Sequence, residues 1–122
     1  MSYLDQTAII ELEKMDFYAY HGCYKEEQVV GNKFVVNISL ETNIATPAAS
    51  DKIQDALNYV EVYNVVKEEM MKTSHLLEHV TRRIIDRLFI DFPAIIHATV
   101  KVSKMNPPMG GQMKAVSVLL KR

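Results

Sequence analysis

Leu77, Val80, Ile84 and Leu88 recur at intervals of three and four, with Leu76, Ile85 and Phe89 alongside. That spacing is the stripe of a helix packed on a core, and it predicts a helix from Leu76 to about Phe92, ended ahead of Pro93. Glu78 falls in its first turn, where amides without partners and the positive end of the helix dipole favour an ionised carboxylate, even where Leu76 and Leu77 draw it partly out of water. The two parallel oxygens of such a group suit a planar ligand with adjacent N–H donors, such as a guanidine-like or aminopyrimidinone ring. The plainer reading is a carboxylate that only complements the dipole.

A second helical stripe, Val62, Val65, Val66 and Met70 with Tyr63 nearby, places a helix over about Val60–Lys72 with Tyr59 just before it. Thr73-Ser74-His75 is expected to break this helix and cap the next. On either side of the pair the period falls to two. Ile10 and Leu12 alternate from Thr7, then the phase slips so that Met15 and Phe17 continue the face, as a β-bulge near Lys14 would cause. From Asn32 to Ile44, Phe34, Val36, Ile38 and Leu40 face one way while Val35, Asn37, Ser39 and Glu41 face the other. Thr46-Pro47-Ala48-Ala49-Ser50-Asp51 is expected as a linker. Later, Ile96, Ala98, Val100 and Val102 alternate with His97, Thr99, Lys101 and Ser103, and Val116, Val118 and Leu120 with Ala115, Ser117 and Leu119.

The order β-β-α-α-β-β implies an α+β fold, a four-stranded antiparallel sheet with both helices on one face. The opposite face would show Val35, Ala115 and Leu119 and is therefore expected to be covered by other copies of the chain, with free sheet edges joining into a closed ring.

A chain of 122 residues makes one domain, spanning 1–122, with a single core. Acidic and basic residues nearly balance, 15 against 14, which leaves no electrostatic footprint for nucleic acid and favours a small-molecule partner. Cys23 is the only cysteine, excluding an internal disulfide. Met1–Gln6 lacks the basic and apolar regions of a signal peptide, and no apolar run is long enough for a membrane span, so a cytoplasmic location is expected.

The connections carry the chemistry-bearing residues. Phe17-Tyr18-Ala19-Tyr20-His21-Gly22-Cys23-Tyr24 is an aromatic connection of the kind that lines sites. Glu26 and Glu27 follow it at the rim of the next strand. Lys104 ends a strand just before Met105-Asn106-Pro107-Pro108-Met109-Gly110-Gly111, which gives it a fixed base and an adjustable head suited to proton transfer; a snorkelling surface lysine is the alternative.

Assembled, the chain resembles the dihydroneopterin aldolase family, of the tunnelling or T-fold class, essentially end to end. The resemblance rests on Phe17-Tyr18-Ala19-Tyr20-His21-Gly22, Glu26-Glu27-Gln28 leading to Gly31, Leu57-Asn58-Tyr59, Leu76-Leu77-Glu78-His79 and Lys104-Met105-Asn106-Pro107-Pro108. It implies that Glu78, with the backbone at Leu77, holds the pterin edge. It also implies that Tyr59, with the segment around Leu57, comes from a neighbouring subunit, that Glu27 is the family's loop acid, and that Lys104 is the catalytic lysine. The implied reaction is retro-aldol cleavage of 7,8-dihydroneopterin, without metal, Schiff base or cofactor, in a homo-octamer of stacked rings. Asn32 stands where relatives often have glutamine, and Cys23 at a variable loop position.

Three other readings are weighed against this. His75-Leu76-Leu77-Glu78-His79 fits the H-x-x-E-H zinc-peptidase motif, and two histidines four apart on a helix can share a metal, but a peptidase needs a further acidic ligand and a larger protein around the cleft. An epimerase could use the same residues, although one acting on a triphosphate would need more basic groups than the scattered Lys25, Lys33 and Lys72. A non-enzymatic ring scaffold leaves the coincidence of Glu27, Tyr59, Glu78 and Lys104 unexplained. His21 and His97 are read as structural.

Overall fold

The computed structural model describes residues 6–122, so most of the Met1–Gln6 stretch read above lies outside the described residues. Four strands, β1 (Thr7–Ala19), β2 (Asn32–Asn43), β3 (Ile95–Met105) and β4 (Ala115–Lys121), form one antiparallel sheet in that spatial order. Helices α3 (Tyr59–Met70) and α4 (Leu77–Asp91) cover one face, and the short helices α1 (Lys25–Val30) and α2 (Ala45–Ser50) sit in connections.

The core lies between sheet and helices, where the two periodicities read above meet. Phe34, Val36, Ile38 and Leu40 from β2 are sealed with Val100 and Val102 from β3 against Val62, Val65, Val66 and Met70 of α3 and Val80, Ile84, Ile85 and Leu88 of α4. Each such side chain removed from water contributes about 1.5–3 kcal/mol, which fixes the helices to this face. The bulge falls where the phase slip put it. Register shifts between Leu12 and Met15, Lys14 has φ 53°, and its amide, displaced from the ladder, donates to Asn37 Oδ1 at 2.8 Å.

Several expectations need correction. The supposed linker from Thr46 is largely helix α2, because Pro47 sits among the first-turn amides that need no helical partner and the alanines around it favour helix. Lys25–Val30 is likewise a helix rather than a strand rim, with Glu26 and Glu27 in its first turn and Gly31 at φ 76° ending it. The aromatic connection is half strand, since β1 continues to Ala19. On β3 the core residue is Ile95, and Ile96 is 44% exposed. A register shift pairs Glu41 with His97 but Thr42 with Ile95, and that turns Ile96 outward. Ser74 does not cap α4, whose N-cap residue Leu76 makes no side-chain cap hydrogen bond.

The outer face of the sheet is half polar as expected. Val35 and Ala115 line a hollow of about 550 Å³ together with Lys14, Lys33, Lys101 and Lys114. β1 and β4 are the two edges. Among the described residues no helix is long and apolar enough to cross a membrane.

Candidate active site

Ala98, Val100, Val102 and Lys104 share one face of β3, and Lys104 is the polar end of that apolar series, paired with Phe34 across the ladder. Its stem leaves the core at the rim and its side chain is only 13% exposed. Nζ meets Glu27 Oε2 at 2.7 Å across 77 residues of sequence. The hydrogen bond from Lys104 holds the Glu27 carboxyl below its ordinary range, against the opposing effect of partial burial. The other oxygen, Oε1, accepts from the Tyr24 amide at 3.4 Å.

Glu27 reaches this position because α1 lies close against the end of the β1 connection. A Cβ at Gly22 would stand 2.5 Å from Glu27 Cβ, so that position requires glycine. Gly31 combines its left-handed φ with close approach to the Tyr18 and Tyr20 rings. Those rings meet edge to face at 5.8 Å, and Tyr18 Oη donates to the Val30 carbonyl at 2.7 Å, holding the end of α1.

The start of α4 adjoins the same corner. Gly22 N–H donates to the Ser74 carbonyl at 3.0 Å, Cys23 Sγ lies 3.3 Å from the His75 carbonyl, and Gln28 Nε2 lies 3.1 Å from His75 Nδ1. Glu78 is exposed and, among the described residues, has no hydrogen-bond or ion-pair partner, so its carboxylate is open to a ligand. The shielding of Glu78 expected from Leu76 is not present in one chain, where Leu76 is 50% exposed. Leu77 packs partly against the core.

Sequence reasoning missed what holds this corner. Glu69, 4% exposed, accepts from Arg83 at 2.6 Å and from Arg87 and Lys72 at 2.9 Å each. Burial pushes its pKa up, but the hydrogen bonds from Lys72, Arg87 and Arg83 outweigh this and leave it lowered. Arg83 Nη2 also reaches Ser74 Oγ at 2.9 Å, and Ser74 Oγ lies 2.7 Å from His79 Nδ1. Ser74 N–H donates to Nδ1 of buried His21 at 3.0 Å. His21 packs edge-on against Phe34, and its pKa falls to about 4 through burial, then through the charge of Arg83 and, more weakly, of Lys104; the Met70 carbonyl only partly offsets this. His21 is thus structural, as read from the sequence, and the exposed His97 stands near Glu41 at 3.9 Å on the strand. His75 and His79, the pair of the zinc motif, each face a protein partner through Nδ1. Among the described residues no three His, Cys, Asp or Glu side chains gather where they could share a metal.

The expected residues fall into two groups. Glu27, Lys104, Leu77 and Glu78 belong to the corner just described. Leu57 instead lines a hollow of about 490 Å³ with Thr42, Asn43, Asn58 and Ala94 at the other end of β2. Tyr59, 60% exposed, opens α3 directly after Asn58, whose side chain accepts the Val60 amide at 3.0 Å. Eight residues of β2 separate the rung at Phe34 from that at Thr42, about 26 Å at roughly 3.3 Å per residue. Tyr63, one turn along α3 from Tyr59, nonetheless stacks on Phe17 at 5.8 Å, and Phe17 shares a rung with Phe34 and Lys104, while among the described residues no hydrogen bond or ring contact joins Tyr59 itself to Lys104.

Known proteins resemble this chain in sequence and in fold. The dihydroneopterin aldolase family profile matches residues 10–121. Dihydroneopterin aldolase of Streptococcus pyogenes serotype M6 is 36% identical over 114 residues, covering 93% of this chain and 96% of that protein, and the Bacillus subtilis protein of the same name is 32% identical over 93% and 95%. In structure, E. coli dihydroneopterin aldolase in complex with neopterin superposes with a TM-score of 0.87 at 23% identity, covering 94% of this chain and 98% of that one. The Burkholderia thailendensis dihydroneopterin aldolase bound to guanine gives 0.77 at 21% identity, covering 98% and 93%. Over nearly its whole length, the chain belongs to the dihydroneopterin aldolase family, whose members are lyases.

Proposed function

We propose that the chain cleaves 7,8-dihydroneopterin by a retro-aldol reaction to 6-hydroxymethyl-7,8-dihydropterin and glycolaldehyde, within folate biosynthesis. The observation that carries this reading is the contact of Lys104 with Glu27 at the corner where α4 begins. There a proton-moving pair stands beside an open carboxylate suited to a flat, two-donor heterocycle. Neopterin in the E. coli structure and guanine in the Burkholderia one are heterocycles of that kind, each with an amino group next to a ring N–H, and they support the same ligand class here.

Glu78 takes the two N–H donors of the ring, with the backbone at Leu77 completing the grip. The C–C bond of the side arm then breaks, and its electron pair enters the dihydropterin's own C=N, which is protonated and becomes an enamine while glycolaldehyde leaves. The heterocycle serves as the electron sink, so the step calls on neither a Schiff base nor a metal. Lys104, directly or through a water, takes the 2′-hydroxyl proton and returns one to the enamine carbon. Tyr59 orients the hydroxyl from a neighbouring copy, with Leu57 beside it. Rings closed through the β1 and β4 edges, stacked in pairs as an octamer, would bring the groups together. Re-addition of glycolaldehyde to the same enamine would invert the 2′ carbon, so some epimer is expected as well.

The test is to incubate chelator-treated protein with 7,8-dihydroneopterin and follow glycolaldehyde and the epimer together. Lys104→Ala is expected to lower turnover by at least about a thousandfold while product still binds. Unchanged turnover in that variant would remove Lys104 from the mechanism.

A further inference from the structure

Helix α1 carries Glu27, yet none of its six residues is buried, and Val29 and Val30 are 70% and 68% exposed. Without a side chain in the core, its orientation depends on polar tethers. Tyr18 holds the far end through the Val30 carbonyl. On the site side Glu27 itself is bound to Lys104, and the residue next to it, Gln28, is a second tether. Its Nε2 donates to the Gly22 carbonyl at 2.8 Å and lies 3.1 Å from His75 Nδ1, one residue before the N-cap of α4. One amide group thus joins the element bearing the proton-moving pair to the element bearing the ring-gripping carboxylate.

We infer that Gln28 is a positioning residue, which sets the Glu27–Lys104 pair against the mouth of α4 by donating both of its amide hydrogens. This rests on the aldolase reading above. Both amide hydrogens are used only while His75 Nδ1 is an acceptor, which fixes that ring as the Nε2–H tautomer. Gln28 itself touches no reacting atom. Its loss leaves Glu78 and Leu77 free to hold the ring but lets α1 turn, and misplacement by about 1 Å costs up to about 100-fold in rate.

The experiment compares wild type, Gln28→Ala and the similarly shaped Gln28→Met, which keeps the bulk and removes the donors. Steady-state cleavage of 7,8-dihydroneopterin, product affinity and thermal unfolding are measured on each at equal protein concentration. The expected result is kcat lowered about 10- to 100-fold in both variants, with product affinity within about twofold of wild type and unfolding temperature nearly unchanged. In a His75→Ala background the same Gln28→Met change is expected to cost less, because one of its two contacts is already gone. A Gln28→Met protein that is folded and turns over at the wild-type rate overturns the inference, as does a loss confined to product affinity or stability. If wild type itself releases no glycolaldehyde, the aldolase reading fails first and this inference with it, an outcome distinct from a wild type that cleaves and a variant that cleaves equally well.

Discussion

Stability between pH 8 and pH 5 is expected to depend on one ring, that of His21. In the folded chain this imidazole is 2% exposed, its Nδ1 accepts the Ser74 amide at 3.0 Å, and Arg83 adds a like charge to the protonated form. Its pKa falls from 6.5 to about 4, so between those values the unfolded chain binds a proton that the folded chain refuses. The contribution is therefore complete above pH 6.5 and is lost as pH falls towards 4. Across the whole window the shift amounts to about 3 kcal/mol at about 1.4 kcal/mol per pKa unit, of which about 2 kcal/mol is lost by pH 5. Glu27 and Glu69 both have lowered pKa values, so their own contributions are lost at more acid pH, and Glu11, raised by the hydrogen bond and charge of Glu13, is solvent-screened and acts in the opposite direction. Urea unfolding at pH 8 and pH 5, at fixed protein concentration, should show a midpoint lower by about 1 M at the acid end for wild type. His21→Gln cannot titrate, and although less stable throughout it should show little of that difference. An equal acid shift in both proteins would refute the reasoning, since some other group would then carry the proton.

Two further outcomes follow from the site. Glu78→Gln exchanges a charge-assisted pair of hydrogen bonds for a neutral one and should weaken binding of 6-hydroxymethyl-7,8-dihydropterin about 10- to 100-fold by titration calorimetry, with the unfolding temperature little changed. Inactive Lys104→Ala and Tyr59→Phe proteins, unfolded and refolded together in equal amounts, should regain roughly a quarter of wild-type activity, the share of mixed sites that draw an intact residue from each chain. No recovery on mixing would place Tyr59 and Lys104 in one chain or outside the site.

Periodicity made the helix-facing surfaces legible. Val80, Ile84 and Leu88 on one element and Phe34, Val36 and Ile38 on another are buried as their spacing predicts, and the phase slip near Lys14 located the bulge. It failed where a short element has no face to bury. Helices α1 and α2 contain no buried residue, so nothing repeats in their sequences. The signals present there, acidic residues ahead of Gly31 and alanines around Pro47, concern helix ends rather than faces. A similar signal went unread at Asn58, which with Glu61 three residues on marks the start of α3. At Ile95 and Ile96, two adjacent apolar residues offered alternation either phase, and only the partner strand's register decides between them.

Polar partnerships were beyond sequence reading for a different reason. Glu69 and Lys72 are three apart and could be paired on paper, but the groups that let Glu69 be buried as an anion are Arg83 and Arg87 on the next helix. Lys104 meets Glu27 because the ladder sets it opposite Phe34, near the strand end where α1 leads into β2. Such pairings follow from tertiary register, which no local period encodes. The same reasoning bears on Tyr59. Its local sequence gives it no task, it stands exposed at the start of α3, and an exposed tyrosine with an apolar body and a polar tip is well suited to an interface. If Tyr59 and Lys104 act together across two copies, as proposed above, assembly is a condition of catalysis, and recovery of activity on mixing the two inactive variants is the outcome that separates this from a site complete in one chain.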